Sequence, residues 1–154
     1  MVGLLFVNAP EATHKDINRV LLYIRCWDGE WSPFKLVTTR NAYDLDLPEC
    51  AGEEQELDGT EAPVDEDIKN AWAGAQLTDI EAFCKDLQRN NVTSVNPELY
   101  IVVDSAGLHQ KTCVLGMCIE EDYDSQTKVM SYSKYFRRFR LPWDETYLTW
   151  CVRA

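Results

Sequence analysis

The chain has 154 residues, 45% hydrophobic and 11% aromatic, enough apolar material to bury one core without metal or disulfide staples, so disorder is excluded except locally. A net charge of -11 argues against duplex DNA, RNA and anionic membranes as the main partner, because each presents like charge and binds chiefly through cations. The charge is local: Asp44 to Asp67 holds eleven acidic residues and no Lys or Arg, and outside it 15 acidic residues face 15 basic ones. We therefore read a single domain over residues 1–154 carrying an acidic loop or insertion at 44–65.

The amino terminus, Met1 to Val7, has no cationic flank, and its apolar run ends at Asn8, Ala9 and Pro10, too short for a secretory leader. Nothing approaches the ~20 apolar residues of a membrane span. The expectation is a cytoplasmic protein with no membrane association. Six cysteines, Cys26, Cys50, Cys84, Cys113, Cys118 and Cys151, lack the spacing of a disulfide framework and read mostly as buried free thiols.

In chain order, Val20-Leu-Leu-Tyr-Ile24 within Arg19 to Cys26 is a continuous apolar run that reads as a strand buried on both faces. Asp28-Gly29 signals a turn, and Trp31 to Thr38 a return strand that Pro33 pushes to an edge. Residues 41 to 65 lack periodicity. A helix is expected from Asp65, with Ile68, Ala71, Trp72 and Ala75 on one face and Gly74 weakening it. Thr78-Asp-Ile-Glu81 spells a capping box opening a second helix, with Ile80, Phe83, Cys84 and Leu87 as its apolar face.

Leu99 to Val103 and Thr112 to Ile119 read as buried strands, and Val129 to Tyr132 and Tyr135 to Leu141 as further strands ended by Pro142. Asp144 would cap a short terminal helix with Tyr147, Leu148 and Cys151 on its apolar face. The predicted fold class is mixed α/β: four to five strands in a mixed sheet, a helical crossover and a short C-terminal helix, with the Arg19 and Leu99 strands as parallel neighbours.

Candidate chemistry is sparse. Cys113 and Cys118 lack a second ligand pair, and on a strand five residues apart they fall on opposite faces, so no metal is expected, and no cofactor either. Glycine-rich phosphate loops and nucleophile elbows are missing from the sequence. The enzyme-like possibility is a strand-end pocket in which Cys26 and Asp28 converge with Asp104, Ser105 and His109, a Cys/His pair activating the nucleophile. The basic cluster of Lys134, Arg137, Arg138 and Arg140 reads as an amphipathic strand with a solvated face.

Trp27 and Trp31 flank Asp28-Gly29-Glu30 and form, with nearby carboxylates, a candidate hot spot for a cationic surface. Three functions follow. The leading one is a non-enzymatic binding domain, of the inhibitor or immunity type, capturing a basic protein surface through Trp27, Trp31, Asp44, Asp46, Glu53, Glu54, Glu56 and Asp58. The others are the small enzyme above and an accessory subunit whose exposed apolar surface needs another chain.

Overall fold

The computed structural model describes residues 2–25, 31–45, 57–90, 92 and 94–153. Its elements are β1 (Val2–Val7), α1 (His14–Ile24), β2 (Phe34–Leu36), a 3-10 turn (Ala42–Leu45), α2 (Leu77–Arg89), β3 (Val95–Val103), α3 (Ser105–Gln110), β4 (Thr112–Asp124), β5 (Val129–Pro142) and α4 (Trp143–Arg153). The strands form one five-stranded sheet in the order β2-β1-β3-β4-β5. β1 is parallel to β2 and to β3, and β4 and β5 follow antiparallel. This is the mixed α/β class expected from the sequence, with its helical crossovers and short terminal helix.

Alternation along the central strands sets the layers. Leu5 and Val7 of β1 and Leu99, Ile101 and Val103 of β3 face α1 and α4, packing with Ile17, Val20, Ile24, Trp143 and Trp150. Leu4 and Phe6, with Tyr100 and Val102, face α2 and meet Ile80, Phe83, Cys84 and Leu87. Trp72 anchors this second layer, its ring 5.1 Å from Phe6 and 5.2 Å from Phe83, both edge-to-face. Its buried indole N–H donates to the Thr39 carbonyl at 3.0 Å. Among the described residues no helix is long and apolar enough to cross a membrane.

Several local expectations are corrected. Residues 19–24 are helical: Val20, Leu21 and Ile24 are buried while Leu22 and Tyr23 are exposed, so the apolar run is one stripe of a helix that Ile17 extends. Thr13 and Asp16 cap that helix reciprocally, the Thr13 hydroxyl accepting from the Asp16 amide at 3.3 Å and the Asp16 carboxylate from the Thr13 amide at 2.9 Å. The parallel neighbour of β3 is therefore Val2–Val7, a central strand whose apolar run meets the criterion that we apply to residues 20–24.

β2 is shorter than the predicted return strand and runs parallel to β1. No helix forms at 65–75: Asn70 closes its own turn, its side-chain oxygen accepting from the Trp72 amide at 3.1 Å, and Gly74 adopts φ +76°. The two predicted carboxyl-terminal strands are one, β5. α2 begins at Leu77 with Gln76 and Asp79 as its capping pair, two residues before the expected box. α4 buries Trp143, Thr146 and Trp150, leaving Leu148 and Cys151 exposed.

Candidate functional site

The two ends of the parallel strands offer different chemistry. In the order β2-β1-β3-β4-β5, the carboxyl end of β1 leads through α1 to β2 on one side and the carboxyl end of β3 leads through α3 to β4 on the other, so the chain departs in opposite directions from these two neighbouring strand ends. Such a switch point is where open α/β sheets commonly place ligands. Asp104 and Ser105, both predicted site residues, stand there with Asn8 and Glu11.

The polar atoms of Asp104, Ser105 and Glu11, however, are engaged by protein partners, while the buried side-chain oxygen of Asn8 has no donor among the described residues. Asp104 accepts from both terminal nitrogens of Arg140, at 2.6 and 3.1 Å, and from the Gly107 amide at 2.7 Å as the cap of α3. The Arg140 hydrogen bonds and the Gly107 amide hold its carboxyl below the usual carboxylate range, against a smaller opposing effect of burial. The Ser105 hydroxyl donates to the Glu11 carboxylate at 2.9 Å. Asn8 is held by the turn behind it, its amide donating to the Ala75 carbonyl at 2.9 Å while the Gly74 amide donates to its backbone carbonyl at 2.8 Å. His109 is exposed in the last turn of α3. Cys26 and Asp28 lie outside the described residues, and the neighbouring strands that would have brought them to Asp104 are replaced by helix α1 beside the sheet.

The amino ends of β1 and β2 present a cleft of about 530 Å³ instead, lined by Val2, Trp31, Leu57, Asp58, Glu61 and Trp150. Three chain segments join Val2 of β1 to build it. Ser32 and Pro33 bring Trp31 to the start of β2, the Pro33 carbonyl accepting from the Gly3 amide at 2.9 Å. Residues 57–61 lie along the outer side of β2, where the Thr60 amide donates to the Phe34 carbonyl at 2.8 Å and the Thr60 hydroxyl accepts from the Leu36 amide at 2.9 Å. Gly59 is required there, because a β-carbon on it would collide with the Ser32 carbonyl. α4 supplies Trp150, which packs edge-to-face on Phe34 at 5.5 Å.

Two residues distant in sequence, Trp31 of the predicted aromatic turn and Asp58 of the acidic segment, thus share one cleft. Trp31 is 44% exposed and meets Tyr147 edge-to-face at 6.2 Å. Trp150 is only 8% exposed, and its indole N–H has no acceptor among the described residues. Of the other predicted contacts, Asp44 stands apart from the cleft in the 3-10 turn, accepting from the Thr39 hydroxyl at 2.6 Å. Trp27, Asp46, Glu53, Glu54 and Glu56 lie outside the described residues.

Sequence reasoning missed Trp150 because it assigned the wrong face of α4 to the core. The signal was the spacing of Trp143, Thr146 and Trp150, three and four residues apart. It also missed a third polar array. Glu81, instead of capping α2, accepts from the Tyr100 hydroxyl at 2.6 Å and from Arg138 at 2.8 and 3.2 Å. Burial, then the Glu81 hydrogen bond, push the Tyr100 hydroxyl above its ordinary range. All three partners are mutually satisfied, so this array ties α2 to the sheet.

No protein-family model, curated protein or solved structure matches the chain.

Proposed function

We propose that this is a non-enzymatic binding domain that captures a basic protein surface, anchored at the Trp31–Asp58–Glu61 cleft and steered by the acidic segment to which Asp58 and Glu61 belong. The observation that carries the reading is the convergence of an exposed indole and two carboxylates from separate segments on one open cleft. An aromatic face beside carboxylates suits a cation, and a one-signed field around it raises the rate of encounter with an oppositely charged partner.

The test is capture from source lysate at low and high salt, comparing the intact protein with a version neutralised from Asp44 to Asp67 and with Trp31→Ala. A captured basic protein lost in high salt and lost from both variants is the expected result. A partner retained by Trp31→Ala places the interface elsewhere, and no captured partner rejects the reading.

A second reading, an accessory subunit, draws on Leu22 and Tyr23 of α1 and Leu148 and Val152 of α4, all exposed. It predicts self-association at micromolar concentration in sedimentation runs, weakened by Leu148→Ser with Val152→Ser.

A further inference from the structure

We infer that the open edge of β5 accepts an extended acidic peptide by strand addition, the peptide main chain pairing with residues 136–141, an acidic side chain beside Arg137 and an apolar one beside Phe139. This surface lies at the opposite edge of the sheet from β2 and its cleft and is independent of the capture reading above. Two separate observations meet on it. One is an unpaired backbone. β5 bonds to β4 on one side, and among the described residues no backbone hydrogen bond reaches its other side, whereas Thr60 covers the outer side of β2. Such an edge is a template for another chain, because every second residue turns its amide and carbonyl away from the sheet.

The other observation is the single sign of the charge along that edge. Natural sheets guard an edge strand by shortness, proline, a bulge or charge. β5 is 14 residues long, and its register with β4 is unbroken from Phe136 to Pro142, the first proline in the strand. Charge is the guard that is left, and every charged residue of β5 is a cation: Lys134, Arg137, Arg138 and Arg140. Pairing with the same strand of a second copy would set cations against cations, which is destabilising, while an acidic strand meets opposite charge.

The two faces of β5 divide the work. On the α2 face, Arg138 is held by Glu81 at 2.8 Å and Arg140 by Asp104 at 2.6 Å, which fixes the strand before a partner arrives. Arg137 and Phe139 stand opposite Met117 and Leu115 and so share the α1 and α4 face. Arg137 is exposed and makes no hydrogen bond or ion pair among the described residues, and Phe139 is 42% exposed. An acid beside the first and an aliphatic side chain beside the second are favourable cross-strand pairs. At a strand spacing of about 4.8 Å, β5 lies about 19 Å from β2, roughly two Debye lengths at physiological salt, so residues 57–61 of the acidic segment do not cancel its cations.

The test titrates the 15N-labelled full chain with acetyl-Thr-Glu-Thr-Val-Thr-amide, whose Glu and Val side chains share one face of a strand. One control peptide carries Lys in place of Glu. Another keeps every side chain but has N-methylated main-chain amides, which cannot donate to a strand. The amide resonances of residues 136–141 are expected to shift saturably with the Glu peptide, which binds roughly fivefold more tightly than the Lys peptide at low salt, and to stay still with the methylated one. Arg137→Glu is expected to reverse the preference between the two charged peptides, a ratio that a general loss of stability would not mimic. Trp31→Ala is expected to change none of these results, so partner capture at the cleft and strand addition at β5 fail or stand separately. Still resonances at about 5 mM Glu peptide, equal affinity for the Glu and Lys peptides, or undiminished binding of the methylated peptide overturns the inference. A concentration-dependent dimer that shifts the same amides without peptide also overturns it, assigning the edge to a second copy.

Discussion

The carboxyl and amino ends of the parallel strands both carry acids and hydroxyls but arrange them differently. At the carboxyl end, Asp104, Arg140, Gly107, Ser105 and Glu11 hold one another in hydrogen bonds of 2.6 to 3.1 Å. At the amino end, Asp58 and Glu61 stand beside an exposed indole and a buried indole N–H that has no acceptor among the described residues. The lesson is that position at a switch point is not enough to identify a site: its charged groups are already engaged by the protein, although each end keeps one buried polar atom, the Asn8 side-chain oxygen and the Trp150 indole nitrogen, without a partner among the described residues.

That contrast can be broken experimentally, and the largest effect is expected at Gly59. Gly59→Ala drives a β-carbon into the Ser32 carbonyl, so the 57–61 segment must lift from β2. Urea melts should show about 2–3 kcal/mol of destabilisation, the range of an overpacked site, together with loss of partner capture. Unchanged stability would mean that the cleft wall is not fixed by this contact.

Asp104→Asn probes the other end and should cost about 1 kcal/mol at neutral pH, since the pair with Arg140 is partly exposed while Asn still caps α3. Because the folded-state carboxyl titrates below its unfolded value near ~3.9, its contribution is complete above about pH 4 and disappears as the pH falls through the lower folded value. The gap between parent and variant in urea melts should therefore be flat from pH 7 to about pH 5 and close in stronger acid. A gap that persists unchanged near pH 2 would show that ionisation is not its source.

The smallest effect on stability belongs to the residues assigned to binding. Glu61→Gln should alter unfolding free energy by no more than about 0.5 kcal/mol, as for an ordinary surface change, while lowering affinity for the captured partner. A destabilisation as large as that of Asp104→Asn would make Glu61 a structural residue and blur the distinction between the two ends.

Much of the architecture was legible in the chain because buried central strands announce themselves by continuous apolar runs, as at Leu99 to Val103 and Thr112 to Ile119. The same rule misfired at Val20 to Ile24, where a five-residue apolar run does not separate a strand from a helix stripe; Ile17 and the Thr13–Asp16 cap were the arbiters. Trp72 belongs to the core as its size and apolarity suggest, yet on a turn, because the Asn70 side chain and Gly74 outcompete helical bonding. Of the cleft, Trp31 and Asp58 were recognisable as exposed aromatic and acid. Their proximity was not, because it depends on residues 57–61 pairing with β2 across more than twenty positions of sequence.

That pairing alters what the acidic segment is. Its described end, through Thr60, hydrogen-bonds to the outer side of β2 as a surrogate sixth strand would, shielding backbone groups that an open sheet edge offers to any other chain. Trimming residues 44–65 to make a more compact or less charged protein would therefore strip the seal from a three-residue edge strand. The expected price is edge-to-edge aggregation, visible as turbidity on concentration, in a protein whose charge had been reduced at the same stroke.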